Sequence, residues 1–258
     1  MVIRELRMEF PGHETDLMIR ELTGEKNLFL AGEKELDDAQ LARFFVWKEA
    51  RMRGEPLQYL FGHWEFCGYD FLTDKRALIP RPETESLVTL ILENLEDGMR
   101  VLELGTGTGA ILYSLGLRRK VDLTGVDLSE DALALTRENG KRLGVEAKLF
   151  RSDLFSEVEG TFDVIVSNPP YLTAAEMEDL QTELTYEPEM ALFGGEDGLV
   201  FYRRIAREAG DYLVDGGRLY LEVGYAEAQA VTKMLGAFSH TEIYKDDYGI
   251  DRMVMAIK

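Results

Sequence analysis

The sequence predicts an α/β chain, with a mostly parallel sheet covered on both faces in its C-terminal part and a small helical module ahead of it. Three observations predict this. From about Thr84 onward, short β runs alternate with helical stretches, the rhythm of βαβ units. One β run leads straight into Gly105-Thr106-Gly107-Thr108-Gly109 and then a helix. The first 54 residues are rich instead in charge and helix formers.

In chain order, residues 2–10 alternate apolar and charged side chains before Pro11-Gly12, the pattern of a strand or an irregular arm. Residues 15–22 read as a short helix closed by Gly24. Residues 37–53 place Leu41, Phe44, Phe45 and Trp47 at helical spacing; Asp37 or Asp38 caps the start, and Gly54 with Pro56 stops the helix. Residues 1–54 are therefore expected to form a helical domain. Residues 55–80 carry two aromatic runs, Phe61-Gly62-His63-Trp64-Glu65-Phe66 and Tyr69-Asp70-Phe71-Leu72, separated at Gly68, and are expected to form a β-hairpin linker. Residues 81–258 form the α/β domain. Its β runs are 99–104, 122–127, 147–150, 162–167 and 218–223, with helices over 110–117, 130–143 and 199–213 between them. Two last runs, 241–244 and 252–257, suit an antiparallel addition at one edge.

Composition narrows the function. The 258 residues are 45% hydrophobic and 30% charged, as in folded globular chains. A formal charge of −19 argues against a protein that grips a nucleic-acid backbone, so no direct DNA binding is expected. Cys67 is the one cysteine, which excludes a disulfide framework; His13, His63 and His240 lack ligand spacing, and no metal is assigned. No run approaches the ~18 apolar residues of a membrane span, and Met1-Val2-Ile3-Arg4-Glu5 does not open a signal peptide. A cytoplasmic protein without membrane contact is expected.

The glycine turn suits a nucleotide-like cofactor, because glycines admit close backbone approach and the next helix presents free N–H groups. Its spacing, with Ala110 and with Asp127 at the second strand end, fits either NAD or S-adenosylmethionine. Asp127 reads as a ribose ligand or as a cap before Ser129. Glu103 tilts the choice, since a carboxylate there can pair with the ammonium of a methionine moiety and NAD has none. Asp153 and Leu154 at the third strand end offer an adenine amine contact and an adenine face, or a loop acid and a core leucine.

After the run 162–167 comes Asn168-Pro169-Pro170-Tyr171, where ligands of open α/β sheets sit. The prolines hold their neighbours extended, so the Pro169 carbonyl points outward beside the Asn168 side-chain carbonyl. Two adjacent acceptors fit the two hydrogens of a planar –NH₂ group. Binding both can localise an amide lone pair and stabilise charge growing on nitrogen during methyl transfer. Tyr171 would add an aromatic wall.

These residues resemble the N5-glutamine methyltransferases of the HemK/PrmC type. The resemblance runs from Pro56 to the C-terminus through Pro56-Leu57-Gln58-Tyr59, Ile79-Pro80-Arg81-Pro82-Glu83-Thr84-Glu85, the glycine turn, Asn168–Tyr171, Glu187-Pro188, Ala191-Leu192-Phe193-Gly194-Gly195 and residues 247–252. It implies a Rossmann-like, seven-stranded S-adenosylmethionine-dependent methyltransferase domain. The target would be the glutamine of a Gly-Gly-Gln loop in a class-1 peptide chain release factor. It also implies that Gly105, Thr106, Gly107, Thr108 and Gly109 cradle the methionine part, with Asp127 on the ribose and Leu154 on the adenine. Asn168 would touch both cofactor and substrate; Asn168, Pro169, Pro170 and Tyr171 would hold the glutamine; and the segment with Arg81, Pro82 and Glu83 would wall the site. The helical domain would dock the protein substrate. The family's long first helix is not evident in residues 2–10. Competing readings are a glutamine methyltransferase of a ribosomal protein, an adenine-N6 DNA methyltransferase, an NAD-dependent oxidoreductase and a non-catalytic cofactor-binding module.

Overall fold

A computed structural model describes residues 1–258. The chain divides into two compact units, Met1–Gly62 and His63–Lys258.

The first unit is helical: α1 (Ile3–Glu9), α2 (His13–Thr23), α3 (Asp38–Met52) and α4 (Leu57–Phe61). The strand or arm expected over 2–10 is a helix. Its apparent alternation of Leu6, Met8 and Phe10 misleads because Met8 is exposed, whereas Ile3 and Leu6, one helical turn apart, are sealed in the core. Val2 alone keeps a strand-like contact, an isolated antiparallel bridge to Glu35. Helix α3 starts as expected at Asp37, whose Oδ1 accepts the Gln40 N–H at 2.8 Å while Gln40 Oε1 accepts the Asp37 N–H at 3.0 Å, a reciprocal cap. Phe44 and Trp47 are buried with Ile3, Leu6, Met18 and Ile19; Phe45 stays partly exposed. Leu57–Phe61 is helix rather than the start of the hairpin. Five residues behind Pro56 are too few for a periodic signal, and Gly62 ends them with a left-handed φ of +79°.

The second unit opens with the hairpin β1 (His63–Phe66) and β2 (Tyr69–Leu72). Its turn is Cys67-Gly68, both at positive φ (+53° and +81°), as a two-residue hairpin turn requires. The hairpin packs within this unit: Phe66 and Phe71 join one core cluster, and Asn139 bonds both backbone groups of Leu72. Next come α5 (Pro82–Leu92), β3 (Arg100–Leu104), α6 (Ala110–Arg118), β4 (Asp122–Asp127), α7 (Glu130–Leu143), β5 (Lys148–Arg151), β6 (Phe162–Ser167), α8 (Ala174–Glu178), α9 (Val200–Tyr212), β7 (Leu213–Glu222), α10 (Ala228–Met234), β8 (His240–Lys245) and β9 (Asp251–Ile257).

The seven strands are ordered β5-β4-β3-β6-β7-β9-β8. All neighbours are parallel except β9, which runs antiparallel to both β7 and β8. Strand residues alternate between two cores. Val101, Val164, Val166 and Tyr220 face α5 and α6, while Leu102, Leu104, Ile165, Leu219 and Leu221 face α9 and α10. No helix is long and apolar enough to cross a membrane.

Candidate active site

The chain winds outward from β3 through β4 to β5 and then returns to β6 on the other side of β3. That reversal leaves a crevice at the C-terminal strand ends. A cavity of about 730 Å³ lies there, lined by residues from the ends of β3, β4 and β6, the turn after β5, and the segments 76–81 and 188–193.

The glycine turn forms its floor. Gly105 and Gly107 take φ of +76° and +54°, and the N–H groups of Gly105 and Thr106 both donate to the Val126 carbonyl, at 2.8 and 3.1 Å, pinning the turn across to β4. A Cβ on Gly105 would meet nothing within 4 Å, so this glycine faces open space. Gly109 differs. It stands outside the cavity lining, and a Cβ there would lie 2.7 Å from Tyr113 Cε2 and 2.8 Å from Thr136 Cγ2. Its role is close packing at the start of α6. Thr106 and Thr108 line the cavity but are themselves buried; the Thr106 hydroxyl bonds that of Thr136 at 3.1 Å.

Glu103 is 1% exposed, and its Oε2 accepts the Leu112 N–H at 3.1 Å. No Lys or Arg pairs with it. Burial first, and the nearby Asp127 charge second, hold its carboxyl well above the usual carboxylate range, against the one backbone donor. Asp127 accepts from the N–H of Gly107 (3.0 Å) and of Ser129 (2.9 Å); burial raises it while these donors pull it back. This carboxylate thus secures the turn, caps the approach to α7 and lines the cavity. Asp153 also lines the cavity, with its carboxylate paired to Arg204 at 2.9 Å. Leu154 beside it holds a left-handed φ of +53°, a strained backbone for a leucine, with the Ser152 hydroxyl donating to its carbonyl at 2.7 Å.

On the opposite wall, the Ser167 hydroxyl donates to the Leu104 carbonyl at 2.7 Å, tying β6 to β3. Asn168, Pro169 and Pro170 follow as cavity lining. The Asn168 Nδ2 donates to Thr84 Oγ1 at 3.4 Å, and neither Asn168 Oδ1 nor the Pro169 carbonyl accepts a bond from the chain. Tyr171 is not among the residues that line the cavity. Gly194, Gly198 and Gly224 crowd around it, and its ring packs with the cluster on the α9 face of the sheet. Burial pushes its hydroxyl up to about 12.

Arg81 lines the cavity, but its guanidinium is engaged by the buried Glu187, which also accepts the Ile79 N–H at 2.9 Å. Two segments distant in sequence are thereby clamped together. Pro82 and Glu83 lie outside the lining: Pro82 begins α5, and Glu83 is in its first turn, where an acid suits the helix N-terminus. Thr84, within the segment expected to wall the site, lines the cavity; sequence reasoning missed Leu128, Met190, Phe193 and Phe201 as lining residues. It also missed Glu222, 3% exposed at the end of β7. The signal for Glu222 was present: an acid closing the apolar run Leu219-Tyr220-Leu221 is expensive to bury, as is Glu103 within Val101-Leu102-Glu103-Leu104.

The chemistry of the donor set fits the cofactor. Glu103 is a sealed carboxylate without a cation, placed beside a turn open to close approach, and an amino-acid ammonium would satisfy it. Fold and site define an S-adenosylmethionine-dependent methyltransferase. Residues 83–201 match the methyltransferase small domain and residues 3–62 the PrmC N-terminal domain. The chain is 44% identical to the release factor glutamine methyltransferase of Streptococcus pneumoniae, over 78% of this chain and 74% of that protein. It is 38% identical to that of Deinococcus radiodurans, over 98% and 94%. Among solved structures, the E. cuniculi Mtq2–Trm112 complex, which methylates the eRF1 translation termination factor, is 28% identical over 71% of this chain and 99% of that chain, with a TM-score of 0.53. A Pyrococcus furiosus methyltransferase shares the fold at a TM-score of 0.58 and 22% identity, over 86% and 99%. The chain belongs to the release factor glutamine methyltransferase family. The match over 3–62 includes the N-terminal region that the sequence alone left without a first helix.

Proposed function

We propose that the protein methylates the side-chain N5 of the glutamine in the Gly-Gly-Gln loop of a class-1 peptide chain release factor, with Asn168 and Pro169 as the groups that hold the amide. The observation that carries this reading is the pair of acceptors, Asn168 Oδ1 and the Pro169 carbonyl, without partners in the chain and at the rim of a cavity that also contains Glu103 and Asp127.

When bound, S-adenosylmethionine supplies a methyl group on a sulfonium. The chain's part is to bind and orient. Glu103 would pair with the amino-acid ammonium, Gly105 and Gly107 would let the backbone lie close, and Asp127 would accept from the ribose. Asp153 and Leu154 would flank the adenine. Asn168 and Pro169 each accept one N–H of the glutamine amide. That pairing draws the nitrogen lone pair out of conjugation and stabilises the positive charge that forms on nitrogen. The extra proton of the N-methylated amide is acidic and passes to solvent, so no strong base is required. Residues 1–62 would help to dock the release factor.

Incubating the full chain with a purified release factor and labelled methyl donor, followed by peptide mass spectrometry, tests this. A single methyl on the Gly-Gly-Gln glutamine is expected; a methyl elsewhere, or none, would contradict it.

A further inference from the structure

We propose that Glu222 and Thr84 are positioning residues that lock the Asn168 carboxamide with its oxygen toward the substrate; this rests on the function proposed above. Asn168 can serve as an acceptor only in one of its two amide orientations. Glu222 ends β7 two strands from the glycine turn, in the order β3-β6-β7, and is 3% exposed. The Thr84 hydroxyl and the Asn168 amide lie near its carboxylate and favour its ionised form, and Asn168 Nδ2 donates to Thr84 Oγ1 at 3.4 Å. Thr84 is 4% exposed, at the start of α5.

An ionised carboxylate only accepts hydrogen bonds. It therefore tolerates the Nδ2 edge of Asn168 and repels the Oδ1 edge, whichever way the threonine hydroxyl turns. Turning the amide over would bring two acceptors face to face in a buried setting, which is costly. Glu222 Oε2 has no hydrogen-bond partner, so the chain keeps a buried acid that its own fold does not fully satisfy. Such a group is retained for function more readily than for stability.

The surroundings of Glu222 set when the lock operates. Burial raises its carboxyl to about 7, Glu83 on α5 adds to this, and Thr84, Arg252 on β9 and Asn168 oppose it. Tyr171 and Tyr202 also face it, and Arg252 is shared with Asp246, Nε to Oδ2 at 3.7 Å. Once protonated, Glu222 can donate to Asn168 Oδ1, and the preference for one orientation is lost. Turnover is therefore expected to fall as pH drops below about 7.

The test compares wild type, Glu222→Gln, Thr84→Val and Thr84→Ser in full-length enzyme on a purified release factor. Substitution by glutamine keeps the shape but can donate as well as accept, so kcat should fall by about tenfold or more. KM and cofactor affinity should stay within about twofold, and the acid limb of the kcat–pH profile should disappear. Valine at position 84 should lower kcat similarly, and serine should restore it, which a packing role would not predict. Should Glu222→Gln fail to fold, the valine and serine pair decides. If wild type methylates the glutamine while Glu222→Gln and Thr84→Val keep kcat within twofold, the lock is wrong and the function stands. Wild type leaving that glutamine unmodified would overturn both.

Discussion

Glu103 interrupts an apolar strand and Glu222 closes another, so each removes a carboxylate from water at a cost the fold does not recover alone. For Glu103 the folded pKa is raised, mainly by burial. Between the usual carboxylate range and that raised value, the folded chain holds a proton that the unfolded chain has released. Its contribution to stability is therefore lost as pH rises through that window. Glu103→Gln should raise the melting temperature of the cofactor-free protein at pH 8 and change it little at pH 4. It should also weaken S-adenosylmethionine binding by about tenfold or more, since a charged hydrogen bond is lost. Thermal scans at the two pH values and titration calorimetry check both signs. Asn168→Ala separates binding from chemistry. Turnover should fall by roughly 10²–10³, while cofactor affinity measured by the same calorimetry changes by only a few-fold.

At the level of elements, the glycine turn has two kinds of glycine. Gly109 has a φ of +79° and no room for a methyl group against Tyr113 and Thr136. Gly109→Ala should destabilise the fold by about 2–3 kcal/mol in urea unfolding, from backbone strain and overpacking together. Gly105→Ala adds its methyl to open space; its larger effect should be on cofactor affinity. The turn was legible in the sequence because its chemistry is local: a strand, glycines and a helix in succession. The first helix was not, since Leu6, Met8 and Phe10 mimic a strand and only tertiary burial shows that Ile3 and Leu6 share a face. Helix Leu57–Phe61 was too short to show a period. Tyr171 read as a ligand wall from its neighbours in sequence; in the fold its ring approaches Gly224 and packs against the cluster beneath α9.

Across the whole molecule, the winding of the sheet collects side chains that no local pattern joins. Residues at the ends of β3, β4 and β6 were legible because strand ends at a topological reversal are where ligands bind. Glu222 and Phe193 were not, because their approach to Asn168 or the cavity depends on strand order and on the clamp between Arg81 and Glu187. On the function proposed above, what that convergence would offer a substrate is a pair of acceptors, Asn168 Oδ1 and the Pro169 carbonyl. A carboxamide matches it with two hydrogens; a carboxylate brings only oxygens and leaves both acceptors opposed. The most direct measurement is the initial methylation rate of a release factor against the same protein with its Gly-Gly-Gln glutamine changed to glutamate, at saturating S-adenosylmethionine. The glutamate form should react at least about 10³-fold more slowly. Equal rates would mean that the two carbonyl oxygens are not what selects the substrate.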